Sequence, residues 1–456
     1  MDIRTPLVQE KSDAPECGTA VRLLSRRRFL SRACAVAGAL ASNRLWEPLF
    51  SVDAVEAAGP GAASDTSRPV RRPFVFDTQL HFVQNSFDWR NLLALRRLAL
   101  ASGQYRNADV PSLQNLKFQN FIKEVFLESE TTLGLLSGAP ADNPSHWLLD
   151  NEALAGARAM LNSIAGTKRL FSQAVFTPGQ PGWLDAIEAA IEIHHPDSWK
   201  GYTLGDPLRM SRHPWRMDDE RQVYTAYAKF VESGIRTVCV QKGLLPESDY
   251  PPDPGIWRFG TVEDVGQAAR DWPQLTFVIG NAALRPLRFA GRSDARAFEH
   301  RGYLPWVSDL AAIPAKYGVS NVYAELGAAF ATTVLTHPRH CAVLLGTLIK
   351  GLGADRILWG TGSIWYGSPQ WQIEAFRRFE IPKDLRRRFG FAPLGPAEGP
   401  VKSAVLGGNA AFLYGVKLSE RGDYPAADAD QLSRMRVQWK QGAESYFKWI
   451  SAASGG

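Results

Sequence analysis

Eight short apolar or β-branched runs alternate with amphipathic helical patterns along most of the chain. The runs occupy residues 74–77, 132–136, 169–176, 199–203, 236–240, 275–279, 321–324 and 356–359. Runs that are apolar on both faces are typical of parallel strands, because helices cover both sides of a parallel sheet. Eight such units predict an α/β fold, a closed (β/α)8 TIM barrel. An open doubly wound sheet is the alternative, but no glycine-rich nucleotide loop follows the first run.

The N-terminal 57 residues carry the pattern of an export leader. Residues 25–30, Ser-Arg-Arg-Arg-Phe-Leu, resemble a twin-arginine signal, and an alanine-rich, weakly hydrophobic stretch follows at 33–41. The small residues around Ala57 offer a cleavage site. We therefore predict a signal peptide over residues 1–57, recognition by the twin-arginine export machinery, and a periplasmic or secreted bacterial protein. An ordinary basic amphipathic N-terminus is the alternative.

The remaining chain divides into a linker and one domain. Residues 58–72 are rich in glycine, alanine, serine and arginine, which predicts a flexible linker before a barrel over residues 73–456. A final helix over residues 428–450 places its apolar side chains on one stripe. That stripe would pack against the barrel or against a second subunit, so a homo-oligomer is among the expectations. No apolar run reaches about 18 residues, so we expect no membrane span after processing.

Composition narrows the class of partner. The chain has 52 Lys and Arg against 46 Asp and Glu, a net charge of +6 that is spread thinly, which argues against nucleic acid. Its 14 Trp, 12 Tyr and 23 Phe suit an aromatic-lined site for a small-molecule substrate. Two of the four cysteines lie in the leader, and Cys239 and Cys341 are expected to be buried thiols rather than a disulfide.

Polar side chains follow the predicted strands at the points where the strands end. In a TIM barrel the active site lies at these C-terminal ends, so we expect the side chains to converge on one mouth. They are Gln79 and His81 after the first run, Gln241 and Lys242 after the fifth, Asn281 after the sixth, Glu325 after the seventh and Trp365 after the eighth.

Four segments together resemble the amidohydrolase-2 branch of the metal-dependent amidohydrolase superfamily. They are the Asp-x-x-x-His start at 77–81, Ala-Glu-Leu-Gly at 324–327, the run from Trp-Gly-Thr to Ile-Glu-Ala at 359–375, and Gly-Gly-Asn-Ala-Ala-x-Leu-Tyr-Gly at 407–415. The resemblance covers residues 73–416 and implies a (β/α)8 barrel. It also implies a hydrolase or a non-oxidative decarboxylase.

The sequence departs from the metal-ligand pattern of that family. Members hold a divalent metal with His-x-His at strand 1, histidines after strands 5 and 6, and an aspartate after strand 8. Here those positions are Gln79 and His81, Gln241, Asn281 and Gly362, so His81 alone keeps a family ligand. Because zinc prefers imidazole or anionic ligands, we predict a degenerate metal site and expect no cofactor. A divalent metal such as zinc, held by His81, Glu325 and amides, is the alternative.

The resemblance and the residues assign provisional roles. We predict His81, Lys242 and Glu325 as catalytic groups, with His81 as general acid or base and the other two stabilising charge. Gln79, Gln241, Asn281 and Trp365 would bind substrate; the amides could instead satisfy buried backbone groups. For Lys242, a salt bridge to Glu325 or a surface role is the alternative. We therefore expect an exported hydrolase or carboxy-lyase acting on a small, aromatic compound, with a non-catalytic binding pseudoenzyme as the rival.

Overall fold

The computed structural model describes residues 74–84, 96, 112–206, 211–243, 254–285, 287–420 and 422–441. The predicted leader over 1–57 and the linker over 58–72 lie outside the described residues. Among the helices that the structure describes, none is long and apolar enough to cross a membrane.

Eight parallel strands follow one another around a single sheet, in the order β1 to β8. They are β1 Phe76–Leu80, β2 Leu133–Leu136, β3 Leu170–Val175, β4 Ser198–Tyr202, β5 Thr237–Gln241, β6 Thr276–Gly280, β7 Val322–Glu325 and β8 Ile357–Leu358. Each falls on a predicted run. The predicted (β/α)8 barrel is thus confirmed, because each parallel strand is followed by helical chain that packs back on the sheet.

Helices connect and cover the strands. The α-helices are Phe118–Ile122, Asn151–Ala165, Trp183–Ala189, Val223–Glu232, Pro254–Gly260, Val265–Asp271, Leu287–Arg301, Val307–Tyr317, Gly327–Thr333, Pro338–Leu352, Gln370–Arg378, Lys383–Phe389, Pro400–Ser403, Asn409–Leu413 and Gln431–Lys440. Short 3-10 segments lie at Leu113–Leu116, Pro144–His146, Ala354–Arg356 and Pro425–Ala427, and π-helical turns at Lys123–Leu127, Ala190–His194 and Ala404–Gly408.

The seam between β1 and β8 closes the barrel with few bonds. The Thr78 amide donates to the Trp359 carbonyl at 2.9 Å, and the His81 amide donates to the Ser363 carbonyl at 2.6 Å. The Asp77 carboxylate lies across the same seam and accepts from the amide and hydroxyl of Thr361. Burial raises the pKa of Asp77 to about 7, although these hydrogen bonds act to lower it.

Two apolar layers form the core. One lies between the strands and the surrounding helices, and the other fills the barrel interior. The interior layer contains Phe76, Leu133, Phe171, Cys239, Val278 and Leu358. Cys239 and Cys341 are buried free thiols, as predicted from the sequence. The interior is thus packed with side chains at this level, and a ligand can enter only above it.

The C-terminal helix is anchored to the barrel by a buried ion pair. Asp430 caps the helix Gln431–Lys440 through the Ser433 amide at 2.9 Å. Arg169, the residue before β3, donates to the same carboxylate at 2.7 Å. The helix was predicted over 428–450, and residues 442–456 lie outside the described residues. The described part packs on the barrel through buried Leu432 and Met435.

Candidate active site

The ends of β1, β5, β6 and β7 bring four predicted side chains together. Asn281 Nδ2 donates to Gln241 Oε1 at 2.9 Å, and Asn281 Oδ1 accepts from the Ala328 amide at 2.6 Å. Three oxygens, Gln79 Oε1, Asn281 Oδ1 and Glu325 Oε1, are the nearest atoms to the point where a Cβ on Gly327 would lie, the last at 2.7 Å. We call these three atoms the oxygen cluster.

The backbone that carries Asn281 is strained. Asn281, Ala282 and Ala283 have φ values of 51°, 50° and 54°, in the left-handed region that L-residues rarely adopt. Such strain persists only where surrounding contacts enforce it, and it concentrates at functional sites. Here it turns the chain sharply after β6, which brings the side-chain amide of Asn281 beside Gln79 and Glu325.

Glu325 is the only carboxylate of the cluster and is 3% exposed. Its Oε1 atom is buried and has no hydrogen-bond partner among the described residues. Burial raises the pKa of Glu325 to about 8, although the charge of Lys200 opposes this rise. Gly280 and Gly360 leave room around it, since a Cβ on Gly280 would lie 3.6 Å from Glu325 Oε2, and one on Gly360 would overlap Glu325 Oε1.

His81 lies at the same mouth with its tautomer fixed. Its Nδ1 is 3.0 Å from the Ser137 carbonyl, which can only accept, so Nδ1 carries the proton and Nε2 is left as a proton acceptor. Burial, together with the smaller effect of the Lys200 charge, lowers the pKa of His81 to about 4. The Trp365 ring, 9% exposed, lies 6.1 Å from the imidazole, centroid to centroid. An acid–base group and an aromatic wall therefore face one space.

Lys242 does not join this group. Successive residues of a strand point to opposite sides, so Gln241 faces the barrel interior while Lys242 faces the helices. The Lys242 ammonium pairs with Asp264 Oδ2 at 2.7 Å, both side chains being fully buried, and it also donates to the Phe259 carbonyl at 3.0 Å. Its ion-pair partner is thus Asp264 and not Glu325, which corrects the sequence expectation, and we propose no catalytic role for Lys242.

Lys200 is a functional candidate that the sequence analysis missed. It lies on β4, opposite Cys239 of β5, and is 2% exposed. Its charge acts on both His81 and Glu325. The sequence contained a sign of this role. Ser198, Lys200 and Tyr202 alternate with period two across the fourth predicted run and the residue before it, which is the pattern of a strand with a polar inner face.

Comparisons with known proteins give one family and several similar folds. A family model described as Amidohydrolase matches residues 167–416, more than half of the chain. No match was found among curated proteins. An uncharacterized TIM-barrel protein from Bordetella bronchiseptica is 15% identical with a TM-score of 0.49, over 75% of this chain and 98% of its own. The 5-carboxyvanillate decarboxylase from Sphingomonas paucimobilis is 15% identical with a TM-score of 0.44, over 75% of this chain and 99% of its own.

A third similar structure bears on the cofactor. The 5-carboxyvanillate decarboxylase from Novosphingobium aromaticivorans, solved with manganese and 4-hydroxy-3-methoxy-5-nitrobenzoic acid, is 14% identical with a TM-score of 0.42, over 75% of this chain and 96% of its own. This finding overturns the expectation that no cofactor is needed.

The oxygen cluster fits a hard cation better than zinc. The described residues contain no group of three or more His, Cys, Asp or Glu that could hold a metal. The cluster offers one carboxylate and two amide oxygens, and oxygen donors suit Mn²⁺ and Mg²⁺. The unpartnered Glu325 Oε1 and the space at Gly327 are consistent with an ion at this point. A bound cation would also favour the ionised form of Glu325, which burial disfavours.

Proposed function

Because the chain belongs to the amidohydrolase family, we propose that it is a carboxy-lyase that releases carbon dioxide from a small hydroxylated aromatic acid. The observation that carries the proposal is the position of His81. Its Nε2 is a proton acceptor and the buried Trp365 ring lies beside it. The oxygen cluster lies at the same mouth, at the ends of β1, β6 and β7. Decarboxylation of an aromatic acid needs these parts, namely a group that moves one proton, a flat apolar wall and a charged site for oxygen atoms.

The reaction moves one proton and breaks one bond. His81 Nε2 takes the proton of the ring hydroxyl and delivers it to the ring carbon that bears the carboxylate. The bond between that carbon and the carboxylate then breaks, its electron pair returns to the ring, and carbon dioxide leaves. The phenolate takes up a proton from water, so the sum consumes one proton. The Ser137 carbonyl accepts from Nδ1 throughout, so Nε2 is the atom that takes up the proton and gives it back.

Gln79, Asn281 and Glu325 would hold a divalent metal through the oxygen cluster. The metal, when bound, supplies positive charge that stabilises negative charge on a substrate oxygen. The chain's own part is to fix these donors. Gln241 accepts from Asn281 Nδ2, so the amide presents its Oδ1 to the cluster.

The test is carbon dioxide release and product formation from a panel of hydroxybenzoates, with Mn²⁺ present. His81→Asn keeps a polar side chain but cannot shuttle the proton, so we expect kcat to fall by about 10²- to 10⁴-fold. His300→Ala, at an exposed helix position, is the control and should leave kcat unchanged. Absence of turnover by the parent on every acid would overturn the proposal in favour of a binding protein, and full activity of His81→Asn would overturn the mechanism.

We also propose that the protein is exported through its twin-arginine motif. Changing Arg26 and Arg27 together to lysine should leave uncleaved precursor in the cytoplasm, because the paired guanidinium groups are the recognised feature. The matched control is the same change at Arg71 and Arg72, a second arginine pair that lies outside the predicted signal peptide, at the end of the predicted linker. Fractionation and immunoblotting would check the outcome. Normal export of the first variant would show that residues 1–57 are not such a leader.

A further inference from the structure

Lys200 places a positive charge inside the barrel, one layer below the mouth. On β4 it lies opposite Val175 of β3 and Cys239 of β5, while Tyr202 lies opposite Gln241 in the layer above. Side chains two residues apart share a face of a strand, so Lys200 and Tyr202 both face the interior. The Lys200 ammonium is 5.5 Å from the centroid of the Tyr202 ring.

Apart from the Tyr202 ring, this ammonium has no partner among the described residues. No carboxylate there lies within ion-pair distance, and no described oxygen accepts a hydrogen bond from it, although the side chain is only 2% exposed. The other buried lysines in the described part of the chain are paired, Lys242 with Asp264 and Lys402 with the Arg377 carbonyl. An unpaired buried charge is costly, and an anion bound beside Lys200 would offset that cost.

The layer above Lys200 is polar. In that layer Gly280 and Gly360 contribute no side chains, and the side chains of Gln241, Gln79 and Glu325 lie where theirs would be. Glu325 of β7 lies between the strands that lead to Gly280 and Gly360. The charge of Lys200 acts to lower the pKa of Glu325, although the two side chains form no ion pair. Below this level the interior is filled by Phe76, Phe171 and their neighbours. The Lys200 ammonium therefore lies between this packed level and the polar side chains at the mouth.

We propose that the Lys200 ammonium binds the carboxylate of the substrate and makes the site selective for aromatic acids over neutral aromatic compounds. The inference rests on the proposed function for the aromatic class of ligand. It adds a consequence for release: once carbon dioxide has left, the ring product carries no carboxylate and loses this ion pair. Lys200 therefore contributes to the binding of the acid and not to the binding of the product.

Binding measurements separate this inference from turnover. Salicylate and its neutral amide, salicylamide, are titrated into the full mature protein with Mn²⁺ by calorimetry. We expect the parent to bind salicylate roughly 10- to 100-fold more tightly than salicylamide, as for a hydrogen bond to a charged group. Lys200→Met should lose this preference and leave salicylamide binding unchanged, whereas Lys200→Arg should keep part of it. Lys168→Met, at a half-exposed lysine, is the matched control.

A merely structural lysine would behave differently. Since Lys200→Met removes an unpaired buried charge, its melting temperature should equal or exceed that of the parent. With a turned-over acid, KM should rise by roughly 10- to 100-fold while the affinity for product stays the same. A parent that binds neither salicylate nor benzoate at millimolar concentration, or a Lys200→Met variant that keeps the preference for salicylate, would overturn the inference. Selective binding without any carbon dioxide release would overturn the proposed function alone.

Discussion

Asp264→Ala should lower the free energy of unfolding by about 3–5 kcal/mol, which is the usual cost of leaving one member of a buried ion pair alone. In the parent, Asp264 Oδ2 accepts from the Lys242 ammonium at 2.7 Å and from the Met217 amide at 2.8 Å. The substitution leaves Lys242 fully buried with the Phe259 carbonyl as its acceptor. Urea unfolding followed by tryptophan fluorescence measures the change.

Two further variants make the Asp264 result specific. Asp384→Ala removes a carboxylate that pairs with Arg339 at 2.7 Å but is 59% exposed, so it should cost less than about 1 kcal/mol. Lys242→Met combined with Asp264→Leu removes both charges and should recover most of the loss. Equal effects of Asp264→Ala and Asp384→Ala would show that the buried pair does not stabilise the barrel.

Gly327→Ala should abolish the binding of Mn²⁺. In the parent, Mn²⁺ at 100 times its dissociation constant should stabilise the fold by about 2.7 kcal/mol and raise the melting temperature. A Cβ at residue 327 would occupy the oxygen cluster, in contact with Gln79, Asn281 and Glu325 at once. Thermal melts with and without MnCl₂, together with electron paramagnetic resonance of free Mn²⁺, would measure both effects.

Backbone strain alone cannot mimic this result if the control is matched. Gly327 has a φ of 41° and Gly182 a φ of 70°, so alanine is strained at both positions, at a cost of about 1–2 kcal/mol. A Cβ on Gly182 would meet no atom within 4 Å, and Gly182→Ala should therefore keep the full response to Mn²⁺. A parent that shows no response to Mn²⁺, or a Gly327→Ala variant that keeps it, would contradict the assignment of the oxygen cluster.

The strand positions could be predicted because buried parallel strands leave a strong local pattern. The convergence of Gln79, Gln241, Asn281 and Glu325 also followed from the sequence, since all of them end strands of one barrel. The partners of individual side chains could not be predicted from the sequence. Asp264 lies 22 residues from Lys242, and its local pattern indicates only a helix start, which the structure places at Val265.

Lys200, the functional candidate that the sequence analysis missed, lies on the fourth predicted strand, which is less apolar than its neighbours. β4 lacks the apolar run of its neighbours because Ser198 and Lys200 face the interior. Rules that search for hydrophobic runs discount such a strand, although a charge that faces a barrel interior is a mark of function. The expectation about the cofactor failed for a related reason. It compared each position with the family's imidazoles, whereas the oxygen donors that meet at Gly327 depend on geometry that the sequence does not contain.

The seam between β1 and β8 gives the molecule a place where function can be lost before the fold. β8 has two residues, and few backbone bonds link its end to β1. Gln79 and His81 both belong to the β1 side of that seam, while the other oxygen donors lie directly after β6 and on β7. Local opening there needs less free energy than global unfolding and separates the two halves of the mouth in one event. Amide exchange at Thr78 and His81 would thus report the lifetime of the assembled site.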